Sequence, residues 1–69
     1  MKLSARNQLK GVVKKVEIGS VNCEVVIEIS PGIEITSIIT KTSLESLGIE
    51  FGKEVYAIIK ASNVIIGID

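Results

Sequence analysis

Between Val21 and Ile29 the chain alternates. Val21, Cys23, Val25, Ile27 and Ile29 fall on one side, Asn22, Glu24 and Glu28 on the other, and Val26 is the exception. A period of two is that of a strand with one buried face. Residues 9–18 (LKGVVKKVEI) read as an earlier strand with an imperfect pattern, in which Gly11 signals a bulge or the close approach of another backbone. Gly19-Ser20 is a turn between the two. Ser30-Pro31-Gly32 ends the second strand, because proline fixes one dihedral and glycine tolerates positive φ. Residues 33–40 form a third strand with Ile33, Ile35 and Ile39 on one face. Ile38 is apolar on the opposite face, as Val26 is in the second strand, which points to a second buried surface such as a subunit contact.

Thr42-Ser43-Leu44-Glu45 has the spacing of a capping box and predicts a helix of about five residues. Leu44 and Leu47 would share its buried face, and Gly48 would end it in a left-handed conformation. Phe51-Gly52-Lys53 is a turn, 54–60 (EVYAIIK) a fourth strand and 63–68 (NVIIGI) a fifth. The whole predicts one all-β domain over residues 1–69. It is an OB-like five-stranded β-barrel with one short helix between strands three and four, and an SH3-like barrel is the structural alternative.

Composition sharpens this picture. Apolar residues make up 46% of 69 residues, and isoleucine and valine dominate, which favours strands. A chain this short has a thin core and commonly needs a disulfide, a metal or assembly. With one cysteine and no histidine, neither an intrachain disulfide nor a thiolate zinc site can form, so assembly is the expected remedy. Eight basic and eight acidic residues balance, which offers no net attraction to nucleic acid or anionic membranes. No apolar run reaches the roughly 20 residues of a membrane helix. A free Cys23 and the lack of a secretory signal fit the cytoplasm.

Without histidine, the many serines and threonines have no partner to activate them, so an enzyme is not expected. What stands out is short donors at element boundaries: Ser4, Arg6, Asn7 and Gln8 before the first strand; Thr40, Thr42 and Ser43 where a strand meets the helix; Lys60 and Ser62 between the last strands. No carboxylate interrupts these clusters. Hydroxyls, amides and one or two cations are the donors that a tetrahedral dianion requires. Each cluster also has a plain explanation, as helix cap, solvated strand end or ion pair, and spacing alone names no anion.

The string Ser4-Ala5-Arg6-Asn7-Gln8-Leu9-Lys10-Gly11 resembles the opening of the molbindins, the Mop or molybdenum–pterin-binding proteins, whose module is TOBE-like. The resemblance continues through residues 35–40 (ITSIIT), 47–49 (LGI), 52–55 (GKEV) and 57–64 (AIIKASNV) and covers nearly the whole chain. It implies storage and homeostasis of molybdate or tungstate in the cytoplasm, by a homo-oligomer built as a hexamer, a trimer of dimers, with the oxyanion bound directly and no pterin. It further implies contacts to the anion from Ser4 and Arg6 of one subunit and from Thr40, Ser43, Lys60 and the Ala61 amide of another. Asn7, Gln8, Thr42 and Ser62 are additional candidates, and no residue is expected to ligate a metal cation. Two other readings compete: an OB-type nucleic-acid-binding module, which would want more than the single Phe51 and Tyr56 for stacking, and a ligand-free oligomerisation or regulatory domain, which would have no use for Arg6 and Lys60.

Overall fold

The computed structural model describes residues 1–69. Its elements are β1 (Asn7–Ile18), β2 (Asn22–Ser30), β3 (Ile33–Thr40), α1 (Lys41–Leu47) and β4 (Glu54–Ile59), followed by a 3-10 turn at Ala61–Asn63. The strands form one antiparallel sheet in the order β3-β2-β1-β4, wrapped as a half-barrel. Residues 63–68, expected as a fifth strand, form none: Asn63 ends the 3-10 turn and 64–68 pair with no strand. Their backbone leaves the sheet after the 3-10 turn, so the barrel has four strands rather than five.

The alternation of β2 is realised in the core. Cys23, Val25 and Ile27 are buried together with Val13 of β1, Leu44 of α1 and Ala57 of β4. Val21 is not part of this row. It belongs to the β1–β2 turn and is 68% exposed, because the chain reverses through Gly19, whose amide donates to the Asn22 carbonyl at 3.0 Å. Ile33 likewise sits at the hairpin mouth and is exposed, while Ile35 and Ile39 pack on the core. Val26 and Ile38 lie on the outer face as expected, Val26 partly covered and Ile38 open.

The imperfect pattern of β1 has a definite cause. Val13 pairs with Ile27 and Lys15 with Val26, so Lys14 is an extra residue and the register shifts there. Inward positions before it are Gly11 and Val13. After it they are Val16 and Ile18, paired with Val25 and Cys23. A bulge changes the parity of a strand without breaking it. Gly11 is not the bulge. It is the close approach: a Cβ there would lie 2.6 Å from the Glu28 carbonyl oxygen and 2.6 Å from Cγ2 of Ile27.

The helix begins two residues earlier than its sequence motif. Thr40, not Thr42, is the N-cap: its backbone is extended and its Oγ1 accepts from the Ser43 amide at 3.0 Å. Thr42 is then inside the first turn, where its hydroxyl cannot reach the amide three residues on in cap geometry. Glu45 is too far along to close a capping box. The helix runs seven residues instead of five. Leu44 is buried, but Leu47 is 58% exposed, beside an open stretch of the sheet. Gly48 ends the helix at φ 63°, as expected, and its amide donates to the Glu45 carbonyl at 3.1 Å. Lys53 adds a second closure that the sequence did not announce. Its Nζ donates to the carbonyls of Leu47 at 2.7 Å and Gly48 at 3.2 Å, placing a cation on the negative end of the helix.

Candidate functional site

The last register pair between β1 and β4 is Asn7 with Ile59. Because the strands are antiparallel, the residues just beyond that pair, Arg6 and Lys60, leave the sheet at the same end. Gln8 steadies the segment before β1 by donating from Nε2 to the Ala5 carbonyl at 3.1 Å. Lys60 is extended and opens the 3-10 turn, which is closed by the Asn63 amide on the Lys60 carbonyl at 2.8 Å. The Ala61 and Ser62 amides stand at the start of that turn, where no preceding turn supplies acceptors.

These two segments enclose a cleft of about 240 Å³ lined by Ser4, Ala5, Arg6, Lys60, Ala61 and Ser62. Four of the six residues expected to touch the anion are therefore together in one chain: Ser4, Arg6, Lys60 and Ala61. Ser62 joins them. Ala5, which sequence reasoning passed over, completes the lining. Its only signal was its place between Ser4 and Arg6. Asn7 and Gln8 are not in the lining: Asn7 is held in the β1–β4 ladder and Gln8 braces the loop.

The electrostatics are one-sided. The three ion pairs of the chain are Lys10–Glu54, Lys14–Glu28 and Lys15–Glu17, all on the strands. Neither Arg6 nor Lys60 has a carboxylate partner, and no carboxylate lines the cleft. An arginine fork, an ammonium, two hydroxyls and backbone amides give a donor-rich surface. No group of three or more Cys, Asp or Glu side chains is placed to hold a cation.

Thr40 and Ser43 are elsewhere. Thr40 pairs with Asn22, next to the β1–β2 turn, at the opposite end of β1 from Arg6. The 12 residues of β1 lie between, in a molecule whose longest dimension is 35 Å. Thr40 Oγ1 donates to Ser43 Oγ at 2.9 Å, which leaves the Ser43 hydroxyl proton free to donate outward. Thr42 is exposed on the same turn of helix. Within one chain Lys60 lines the cleft with Ser4 and Arg6, away from Thr40 and Ser43. Within one chain the two groups do not converge.

A short, antiparallel half-barrel with a cationic, hydroxyl-rich cleft at one end of its first and last strands defines a small all-β module. The TOBE domain model matches residues 3–66. A probable molybdenum-pterin-binding protein from Haemophilus influenzae is 49% identical over 69 residues, 100% of both chains. MopII from Clostridium pasteurianum superimposes with a TM-score of 0.90 at 48% identity, covering 97% of this chain and 100% of that one. The cytoplasmic molybdate-binding protein ModG, in a form with molybdate bound, matches with a TM-score of 0.94 at 49% identity over 100% of this chain, which spans 49% of ModG. The chain belongs to the TOBE domain family, among the molybdenum-pterin-binding (Mop) proteins. No helix is long and apolar enough to cross a membrane.

Proposed function

We propose that this chain is a binding protein, not an enzyme, and that it takes up molybdate or tungstate directly in the Ser4–Arg6–Lys60–Ser62 cleft. The observation that carries this reading is the pairing of Arg6 with Lys60 on one cleft that contains no carboxylate. Two cations match a doubly charged guest, and the surrounding hydroxyls and amides supply donors to four oxygens. The kinship with ModG and the Mop proteins supports molybdate among such guests. Tungstate has the same charge and shape, so the same donors serve it. A fused pterin ring would want a flat aromatic partner, and neither Phe51 nor Tyr56 lines the cleft.

In this reading the working unit is a cytoplasmic homo-oligomer, a hexamer assembled as three dimers, which stores and buffers the oxyanion. Each open cleft is completed by Thr40 and Ser43 from a second copy. The distance between these groups within one chain supports sharing between copies. Once water is excluded by the neighbour, the charges of Arg6 and Lys60 need a compensating anion, which couples occupancy to assembly. The nucleic-acid reading lacks a stacking platform beside its cations.

Calorimetric titration of the full chain tests the assignment. Molybdate and tungstate should bind saturably. Sulfate, being smaller, should leave donors at long range, and protonated phosphate should find no acceptor for its proton. Neither should displace molybdate at equal concentration. The absence of saturable molybdate uptake, or displacement by phosphate, would count against it.

A further inference from the structure

The two walls of the anion cleft are held differently. The wall of Lys60, Ala61 and Ser62 is closed by main-chain bonds: the Asn63 amide donates to the Lys60 carbonyl at 2.8 Å and the Val64 amide to the Ala61 carbonyl at 3.3 Å. The wall of Ser4, Ala5 and Arg6 has none. β1 begins at Asn7, and no backbone–backbone bond reaches a residue before it. Neither Lys2 nor Arg6 has an ion-pair partner. One hydrogen bond ties this segment to the sheet: Gln8 Nε2 donates to the Ala5 carbonyl at 3.1 Å.

That bond is anchored at its sheet end. Gln8 pairs with Ile58 and Asn7 with Ile59 in the β1–β4 ladder. Arg6 therefore lies between two fixed points, Asn7 in the ladder and Ala5 on the Gln8 amide. The bond also engages the Ala5 carbonyl. A carbonyl turned toward an anion presents it with an acceptor where it needs a donor. This one is directed to Gln8, which is not in the cleft lining. Donors fixed before a guest arrives lose little freedom when it binds.

We propose that Gln8 is a positioning residue of the cleft: without touching the anion, it holds Ser4 and Arg6 in the geometry that receives it. This role rests on the anion reading of the cleft given above. Gln8 is exposed, and a neutral hydrogen bond there adds little to the stability of the fold, because water replaces it in the unfolded chain. Its effect falls on binding. Loss of the bond frees the one wall that main-chain bonds do not hold, and that wall carries the arginine. Ordering such a segment again at the moment of binding costs roughly two- to tenfold in affinity.

Gln8→Met tests this, since it keeps the length of the side chain and removes the donor. In calorimetric titration the full-length variant should bind molybdate roughly two- to tenfold more weakly than the parent, with its urea midpoint unchanged. In an Arg6→Ala background the same substitution should weaken binding by less than about twofold, because the main group it positions is gone. Without ligand, nitrogen relaxation should show the order parameter of the Arg6 amide falling from about 0.85 toward 0.6 in Gln8→Met. An unchanged dissociation constant, or an Arg6 amide that stays rigid, overturns the positioning role. So do losses that simply add in the double variant, which would mark Gln8 as an independent contact. The parent keeps the two ideas apart. A parent that takes up no molybdate defeats the anion assignment and this role with it, whereas a binding parent whose affinity Gln8→Met leaves untouched defeats positioning alone.

Discussion

Arg6 and Lys60 sit one residue beyond the Asn7–Ile59 pair, on opposite strands, and open onto the same cleft with no carboxylate between them. Fifty-four positions apart in sequence, they are brought together by the register of β1 against β4.

Arg6→Ala should weaken molybdate binding by about 1.5–3 kcal/mol, roughly ten- to 150-fold, the range for a charge-assisted hydrogen bond. Arg6→Lys should recover only part of this, since the ammonium keeps the charge and loses the fork. Both substitutions are at an exposed position and should change unfolding free energy by less than about 0.5 kcal/mol. Calorimetry and urea denaturation without ligand measure the two quantities separately.

Thr40→Val removes the side-chain acceptor of the Ser43 amide and should cost about 1 kcal/mol of stability. Thr42→Val should be close to neutral. Equal losses at the two threonines in urea unfolding would contradict the observed cap.

Gly11→Ala forces a methyl against the Glu28 carbonyl and Cγ2 of Ile27. A backbone atom cannot rotate aside as a side chain end can, so the strands must part locally. The expected destabilisation is about 1–3 kcal/mol, read as a lower urea midpoint.

Glu28 and Glu34 face each other across β2 and β3. Like charges directly opposite are unfavourable, and Lys14 at 3.8 Å from Glu28 offsets only one of them. Glu34→Lys should raise stability by about 0.5 kcal/mol at low salt, with the gain shrinking as salt is added. An unchanged midpoint at low ionic strength would show that the pair is already screened.

Much of this molecule can be read from its residues, and the exceptions have causes. Local chemistry was decisive at Pro31-Gly32, at Gly48 and along Cys23–Ile27, where one dihedral or one alternation leaves a single solution. Ser4, Arg6 and Lys60 stood out as donors without nearby acids, the resemblance to the Mop proteins added Ala61, and the fold brings these four to one cleft. Three features depended on partners that a linear pattern does not show. The helix cap moved to Thr40 because β3 ends in the extended geometry that an N-cap needs. Leu47 stayed open because the sheet beside it is incomplete. Residues 64–68 have the composition of a strand, but a strand exists only against another edge, and their own chain presents none in reach. The separation of Thr40 and Ser43 from the cleft follows from sheet register, which the sequence specifies only through long-range packing.

The surplus residue at Lys14 has a consequence for how this chain tolerates changes in length. Removing Lys14 would leave Val13 followed by strict alternation through Ile18, so both faces of β1 would keep their occupants. Loss of a residue at Val12 or Val16 would instead turn one half of the strand inside out. Deleting Lys14 or Lys15 gives the same chain, so shortening is permitted at this lysine pair, and its cost is one of the Lys14–Glu28 and Lys15–Glu17 ion pairs and some local twist.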